Sequence, residues 1–218
     1  MDFLADARTW ARGRSWIPRA ILLAYLVWCD WRLLRDPDSS TIFAGITLAF
    51  HEMGHLLTAF LPHLICAAAG SGMQLLIPIV VIIIFRRQDD YFGMAVGGFW
   101  LSFSAFDVAR YVADARSMDL PLVGFSPDPE HDWNFILGTL HMLPADHFLA
   151  FVLRVAAMLV GIGSLTFAVW LLNEMRKPAV VAHIAVPRTF PPRPSALRDT
   201  TAAVSDAARK WDDLTTRD

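Results

Sequence analysis

Charge is scarce in the middle of this chain. Between Thr41 and Phe85 the only Asp, Glu, Lys or Arg is Glu52. Two membrane spans fit in that stretch, since each needs about 20 mostly apolar residues. Cysteine is scarce too. Cys29 and Cys66 are the only two, which excludes a disulfide framework and a cysteine-rich zinc site and leaves both as ordinary small apolar residues. There is no excess of positive charge. The formal net charge of -2 lacks the basic footprint of a nucleic-acid binder, so no nucleic-acid partner is expected. A small-residue cleavage site is missing after Trp28-Cys29-Asp30-Trp31-Arg32. The basic lead-in with Arg8, Arg12, Arg14 and Arg19 therefore reads as the flank of a retained first span, not as a cleaved signal peptide. No internal repeat is present.

What is abundant is apolar side chain. Hydrophobic residues make up 55% of the 218, with a mean hydropathy of +0.42. The expected fold is all-α: a polytopic transmembrane helix bundle of about five or six spans, with the lipid bilayer as its solvent. Trp16, Trp28, Trp31, Trp133 and Trp170 fall near expected span ends, where an apolar ring with one N–H is at home. Three regions follow: a basic N-terminal segment over 1–16, a transmembrane bundle over 17–172, and a flexible polar tail over 173–218. The five expected spans are 17–34, 41–61, 64–85, 91–113 and 148–172. Ser39 or Ser40 is placed to cap the second. The third holds Gly70-Ser71-Gly72, which permits close helix approach, and Pro78, which should kink it. A short helix is expected over 134–146. The basic N-terminal segment and the basic tail both favour the cytoplasm. That requires an even number of crossings against the five counted, so 134–146 contributes a sixth, or one segment is re-entrant, or the tail is an exception. The expected location is an integral membrane protein of the bacterial inner membrane.

One of the uncharged stretches carries His51-Glu52-Met53-Gly54-His55. On a helix, residues four apart share a face, so His51 and His55 aim two imidazoles at one ion. Glu52 points elsewhere and is the candidate general base, taking a proton from a water and passing it to a leaving amine. Gly54 is expected to leave room beside the site. A carboxylate inside a span is expensive and marks a functional site by default. Haem is a poor fit, because two histidines on one face would compete for one iron. The expected ion is Zn2+, which wants a third protein ligand in a catalytic site. Asp107, inside the fourth span, is one candidate, against a plain ion pair with Arg110 three residues on. His131 and Asp132 are the others, against capping of the next helix by Asp132 with His131 exposed. Asp146 is as easily a cap of the last span, and His141 and His147 are weaker. Gln74 has two readings, a bond to a ligand or a bond to a neighbouring helix. Tyr111, Asp114 and Arg116 read as a polar rim at a span end.

His51-Glu52-x-x-His55 in an apolar helix with a later intramembrane Asp resembles the site-2 protease class of intramembrane zinc metalloproteases. That likeness implies Asp107 as third ligand, although Val108 stands where the class usually has Gly. Leu143-Pro144-Ala145-Asp146 is a poorer second match. A closer resemblance, over roughly 45–135, is to uncharacterised bacterial zincin-type integral membrane proteins. It rests on His51–His55, Gly70-Ser71-Gly72-Met73-Gln74, Arg86-Arg87, the Asp107–Ala115 segment, Leu120–Gly124 and His131-Asp132-Trp133. It implies a metal site and brings His131 and Asp132 into the ligand set. The expectation is a membrane-embedded zinc metallopeptidase acting on a membrane-associated polypeptide. The alternative is a non-catalytic metal-binding accessory subunit of a larger membrane complex.

Overall fold

The computed structural model describes residues 2–36, 41–122 and 130–179. The expected flexible tail lies outside the described residues from 180 onward, as do Ser39 and Ser40. Among the described residues the fold is all-helical. It comprises α1 (Phe3–Ala11), α2 (Ile17–Arg35), α3 (Ala44–Thr58), α4 (His63–Arg87), α5 (Tyr91–Ala113), α6 (Asp132–Thr139), a 3-10 turn (Leu143–Ala145) and α7 (Asp146–Met175). Three segments, His63–Arg87, Tyr91–Ala113 and Leu143–Met175, are long and apolar enough to cross a membrane. α4 runs through Pro78 as one continuous helix. The second expected span is shorter than its apolar run. α3 has 15 residues, about 23 Å at 1.5 Å per residue, against a hydrocarbon thickness of about 30 Å. α6 has 8 residues, roughly 12 Å, too short to be a sixth crossing by itself.

α5 is the central element. It packs on α4 and α7, and small residues set how closely. A Cβ on Gly97 would sit 2.8 Å from Ile82 of α4, and one on Gly98 would overlap the Ser164 hydroxyl of α7. One end of the bundle gathers α1, the end of α4, the start of α5 and the end of α7. Phe3 packs on Tyr91 and Phe167 with centroids 5.4 and 5.7 Å away. Ala7 and Ala11 are fully buried on the inner face of α1. Buried Glu174 takes Lys177 at 2.6 Å and Arg12 at 3.4 Å. Arg86 lies over Phe3 and Tyr91. This end is rich in Arg.

α3 does not reach that end. Phe43, just before it, stacks on Trp100 at 5.6 Å, and Trp100 Nε1 donates to Thr47 Oγ1 at 3.0 Å. Trp100 is near the middle of α5, so α3 starts at mid-height. From there it rises to a tight connection with α4 at the opposite end, and it packs on α4 throughout. A Cβ on Gly161, in the middle of α7, would sit 3.8 Å from Asp30 Oδ2, so α2 reaches the same mid-height from the Arg-rich end.

Candidate metal centre

α3 turns His51 and His55 to one side, with their Nε2 atoms 3.1 Å apart. Asp132, the first residue of α6, places Oδ2 3.0 Å from His51 Nε2 and 3.2 Å from His55 Nε2. The three atoms form a nearly equilateral triangle. Neighbouring ligands of a tetrahedral ion with ~2 Å bonds lie about 3.3 Å apart, so the triangle matches one face of such a sphere.

Proton placement makes it a donor set. Gln74 Nε2 faces two acceptors, Asp107 Oδ2 at 2.6 Å and the Ser104 carbonyl at 3.4 Å. Gln74 Oε1 is therefore the atom that faces His51 Nδ1, at 3.2 Å, and Nδ1 carries the hydrogen. His55 Nδ1 donates to the Cys66 carbonyl at 2.9 Å. In its neutral form each ring then turns Nε2 inward as the unprotonated nitrogen, the tautomer that binds metal. A proton can bridge only one edge of the triangle and leaves lone pairs opposed on another. One divalent cation satisfies all three atoms at once, so these residues fit a metal ion.

Asp132 is held in place by the N-terminus of α6. Its N–H donates to the Tyr111 hydroxyl at 3.0 Å. Trp133 Nε1 donates to Ser71 Oγ at 3.0 Å, and Asn134 Nδ2 to the Ala115 carbonyl at 2.8 Å. Room for the imidazoles comes from Gly70, not from Gly54. A Cβ on Gly70 would stand 2.5 Å from His55 Nε2 and 2.8 Å from His51 Cε1, whereas one on Gly54 would overlap the Ala69 carbonyl. Gly54 therefore serves the close packing of α3 on α4, and the expectation that it opens the site is corrected.

A cavity of about 490 Å³ adjoins the triangle, and Glu52, Arg110, Tyr111, Leu48 and Leu56 help line it along with His51, His55 and Asp132. Glu52 is half-buried on the wall that α3 provides.

The other candidates lie elsewhere. Asp107 is an outer partner, reaching His51 through Gln74, which bonds the neighbouring helices α3 and α5. His131 is 3% exposed and directs its ring away from the triangle. Its Nδ1 accepts from Asn134 N–H at 3.2 Å, and Nε2–H donates to Asp114 Oδ2 at 3.2 Å. The helix cap is thus His131, and the residue aimed at the histidines is Asp132. Asp146 takes Arg116 at 2.6 Å and the His147 N–H at 2.6 Å. His141 sits at φ 56° in the turn after α6. Two contributors escape sequence reasoning. The Cys66 carbonyl is backbone and carries no residue signal, and Gly70 is one glycine of several. Tyr111 was legible only as rim.

Against this geometry, comparison with protein-family models, curated proteins and solved structures returns no match.

Proposed function

We propose that this protein is a membrane-embedded zinc metallopeptidase. His51, His55 and Asp132 would hold the ion, and Glu52 would act as general base on a membrane-associated polypeptide. The observation that carries the reading is the triangle of His51 Nε2, His55 Nε2 and Asp132 Oδ2, with spacings of 3.0–3.2 Å, bordered by a cavity that Glu52 lines. A structural zinc site is closed by four protein ligands, while a catalytic one has three and an open position. Among the described residues three such groups converge, and the adjoining cavity favours the enzyme over the accessory subunit.

The ion, when bound, would polarise the scissile carbonyl and acidify a water. The protein's own residues do the rest. Glu52 accepts the water's proton as oxygen adds to the carbonyl carbon, then returns it to the amine as the C–N bond breaks, so one water and one peptide bond become a carboxylic acid and an amine, and the acid's proton passes to the amine to leave carboxylate and ammonium. Gln74 and Cys66 hold both imidazoles in the required tautomer. The apolar wall with Leu48 and Leu56 suits the apolar side chains of a membrane-lodged segment. The resemblance to site-2 proteases and to bacterial zincin-type membrane proteins points the same way.

The same reading assigns a topology. α2 and α3 each reach mid-height, and together they would make one broken crossing, so that with α4, α5 and α7 the bundle would cross four times. An even number would put both basic ends on one side, the cytoplasm of a bacterial inner membrane, and would open the metal centre toward the other side. Green fluorescent protein fused to either terminus should fluoresce. A dark C-terminal fusion on a folded protein would restore a five-span count.

The functional test is hydrolysis of fluorogenic transmembrane peptides by purified protein in detergent. Zinc-loaded wild type should cleave at least one, and Glu52→Gln should keep zinc and cleave none. Equal cleavage by both proteins would remove Glu52 as base. Zinc binding without any cleavage across a broad peptide library would favour the accessory subunit.

A further inference from the structure

Resting on the metallopeptidase reading, we propose that the Tyr111 hydroxyl donates a hydrogen bond to the substrate carbonyl oxygen as that oxygen gains negative charge. Tyr111 sits on α5, across the cavity from α3. Its ring packs against two imidazoles, with centroids 5.9 Å from His51 and 4.3 Å from His131. The hydroxyl oxygen accepts from Asp132 N–H at 3.0 Å. That contact ties the tyrosine to the residue that supplies the carboxylate ligand. It also uses an oxygen lone pair and leaves the phenolic proton to donate. Among the described residues no acceptor takes that proton, and Tyr111 lines the same cavity as Glu52 and the three ligand residues.

The division of labour follows. Glu52 on α3 handles the proton of the attacking water. Tyr111 on α5 stays neutral and meets the developing charge with a donor fixed in advance, which costs no reorganisation during the reaction. Accepting from a backbone N–H polarises the O–H and strengthens it as a donor. His131 contributes as a positioning residue, since its ring holds the tyrosine face.

Cobalt gives a readout independent of turnover. Full-length protein in detergent is loaded with Co2+, and its visible absorption is titrated with acetohydroxamate, which offers a carbonyl oxygen, and with ethanethiol, which offers only sulfur. Wild type and Tyr111→Phe should each hold one Co2+ and bind ethanethiol equally. Acetohydroxamate should bind Tyr111→Phe about tenfold more weakly, the size of one lost hydrogen bond to a charged oxygen. Equal acetohydroxamate affinity would overturn the proposal, as would an equal loss for both ligands. Loss of cobalt from Tyr111→Phe would also overturn it, making Tyr111 a positioning residue for Asp132. If wild type binds no cobalt, the metal reading itself fails, and that result is separate from all of these.

Discussion

Two histidine–aspartate pairings lie side by side at the start of α6, and they are chemically opposite. His131 and Asp114 form a closed unit. Asp114 accepts from Ser117 Oγ at 2.8 Å, the N–H groups of Asp119 and Leu120 at 2.9 and 3.1 Å, and His131 Nε2–H at 3.2 Å. Burial raises this carboxyl, but those donors outweigh it and hold it below the usual range. His131 spends its Nδ1 lone pair on the helix cap. Every polar atom there is used. Asp132, one residue on, faces His51 and His55, whose Nδ1 atoms carry hydrogens, so that the neutral rings turn Nε2 toward it. The difference teaches that a histidine beside an aspartate is not by itself a ligand. What its second nitrogen does decides whether it holds a fold or a metal.

The largest expected break in this comparison is at the triangle. His51→Ala and His55→Ala should each lose essentially all bound zinc, read by elemental analysis of purified protein. A full zinc complement in either variant would mean the ion sits elsewhere. Next is the base. Glu52→Gln should keep zinc and lose roughly 10²–10⁴-fold in peptide cleavage, the usual worth of a positioned general base. Survival of the activity would give the proton to another group.

A smaller effect is expected one bond further out. Gln74→Leu and Asp107→Asn should each weaken zinc binding about 10–100-fold, as outer partners of metal-bound histidines do. Competition with a chelating dye measures this. Unchanged affinity would mean that His51 needs no orientation from α4 and α5.

The smallest effect belongs to the closed pair. The depressed Asp114 carboxyl contributes stability that is fully present above the ordinary carboxylate value near ~4 and is lost as pH falls through its lower folded value. The thermal midpoint of wild type should therefore drop on acidification below about pH 4. In Asp114→Asn that part of the drop should be missing. Parallel curves for the two proteins would show that the pair has no electrostatic role.

Much of this was legible in the chain. Glu52 alone in an uncharged stretch, and two histidines four residues apart, announce a helical site within apolar sequence. The sequence also brought Asp132 forward, yet could not separate it from His131. Both precede an apolar helix, both suit zinc, and capping by aspartate is the commoner habit. The choice depends on Asp114, 17 residues back, which captures His131 across the turn. Asp107 misled for a related reason: an intramembrane carboxylate must have a partner, but sequence does not say that the partner is the amide of Gln74. The span count was the least legible feature, because hydropathy measures length of apolar chain and not depth. Residues 41–61 are apolar enough to cross, but α3 starts level with Trp100, halfway along α5.

The most direct test sets the two neighbours against each other in one measurement, the zinc content of purified wild type, His131→Asn and Asp132→Ala. Asn retains a side chain able to cap α6. The account predicts one zinc in wild type, one in His131→Asn and none in Asp132→Ala. Folded wild type without metal, or zinc lost from His131→Asn and kept by Asp132→Ala, would contradict it.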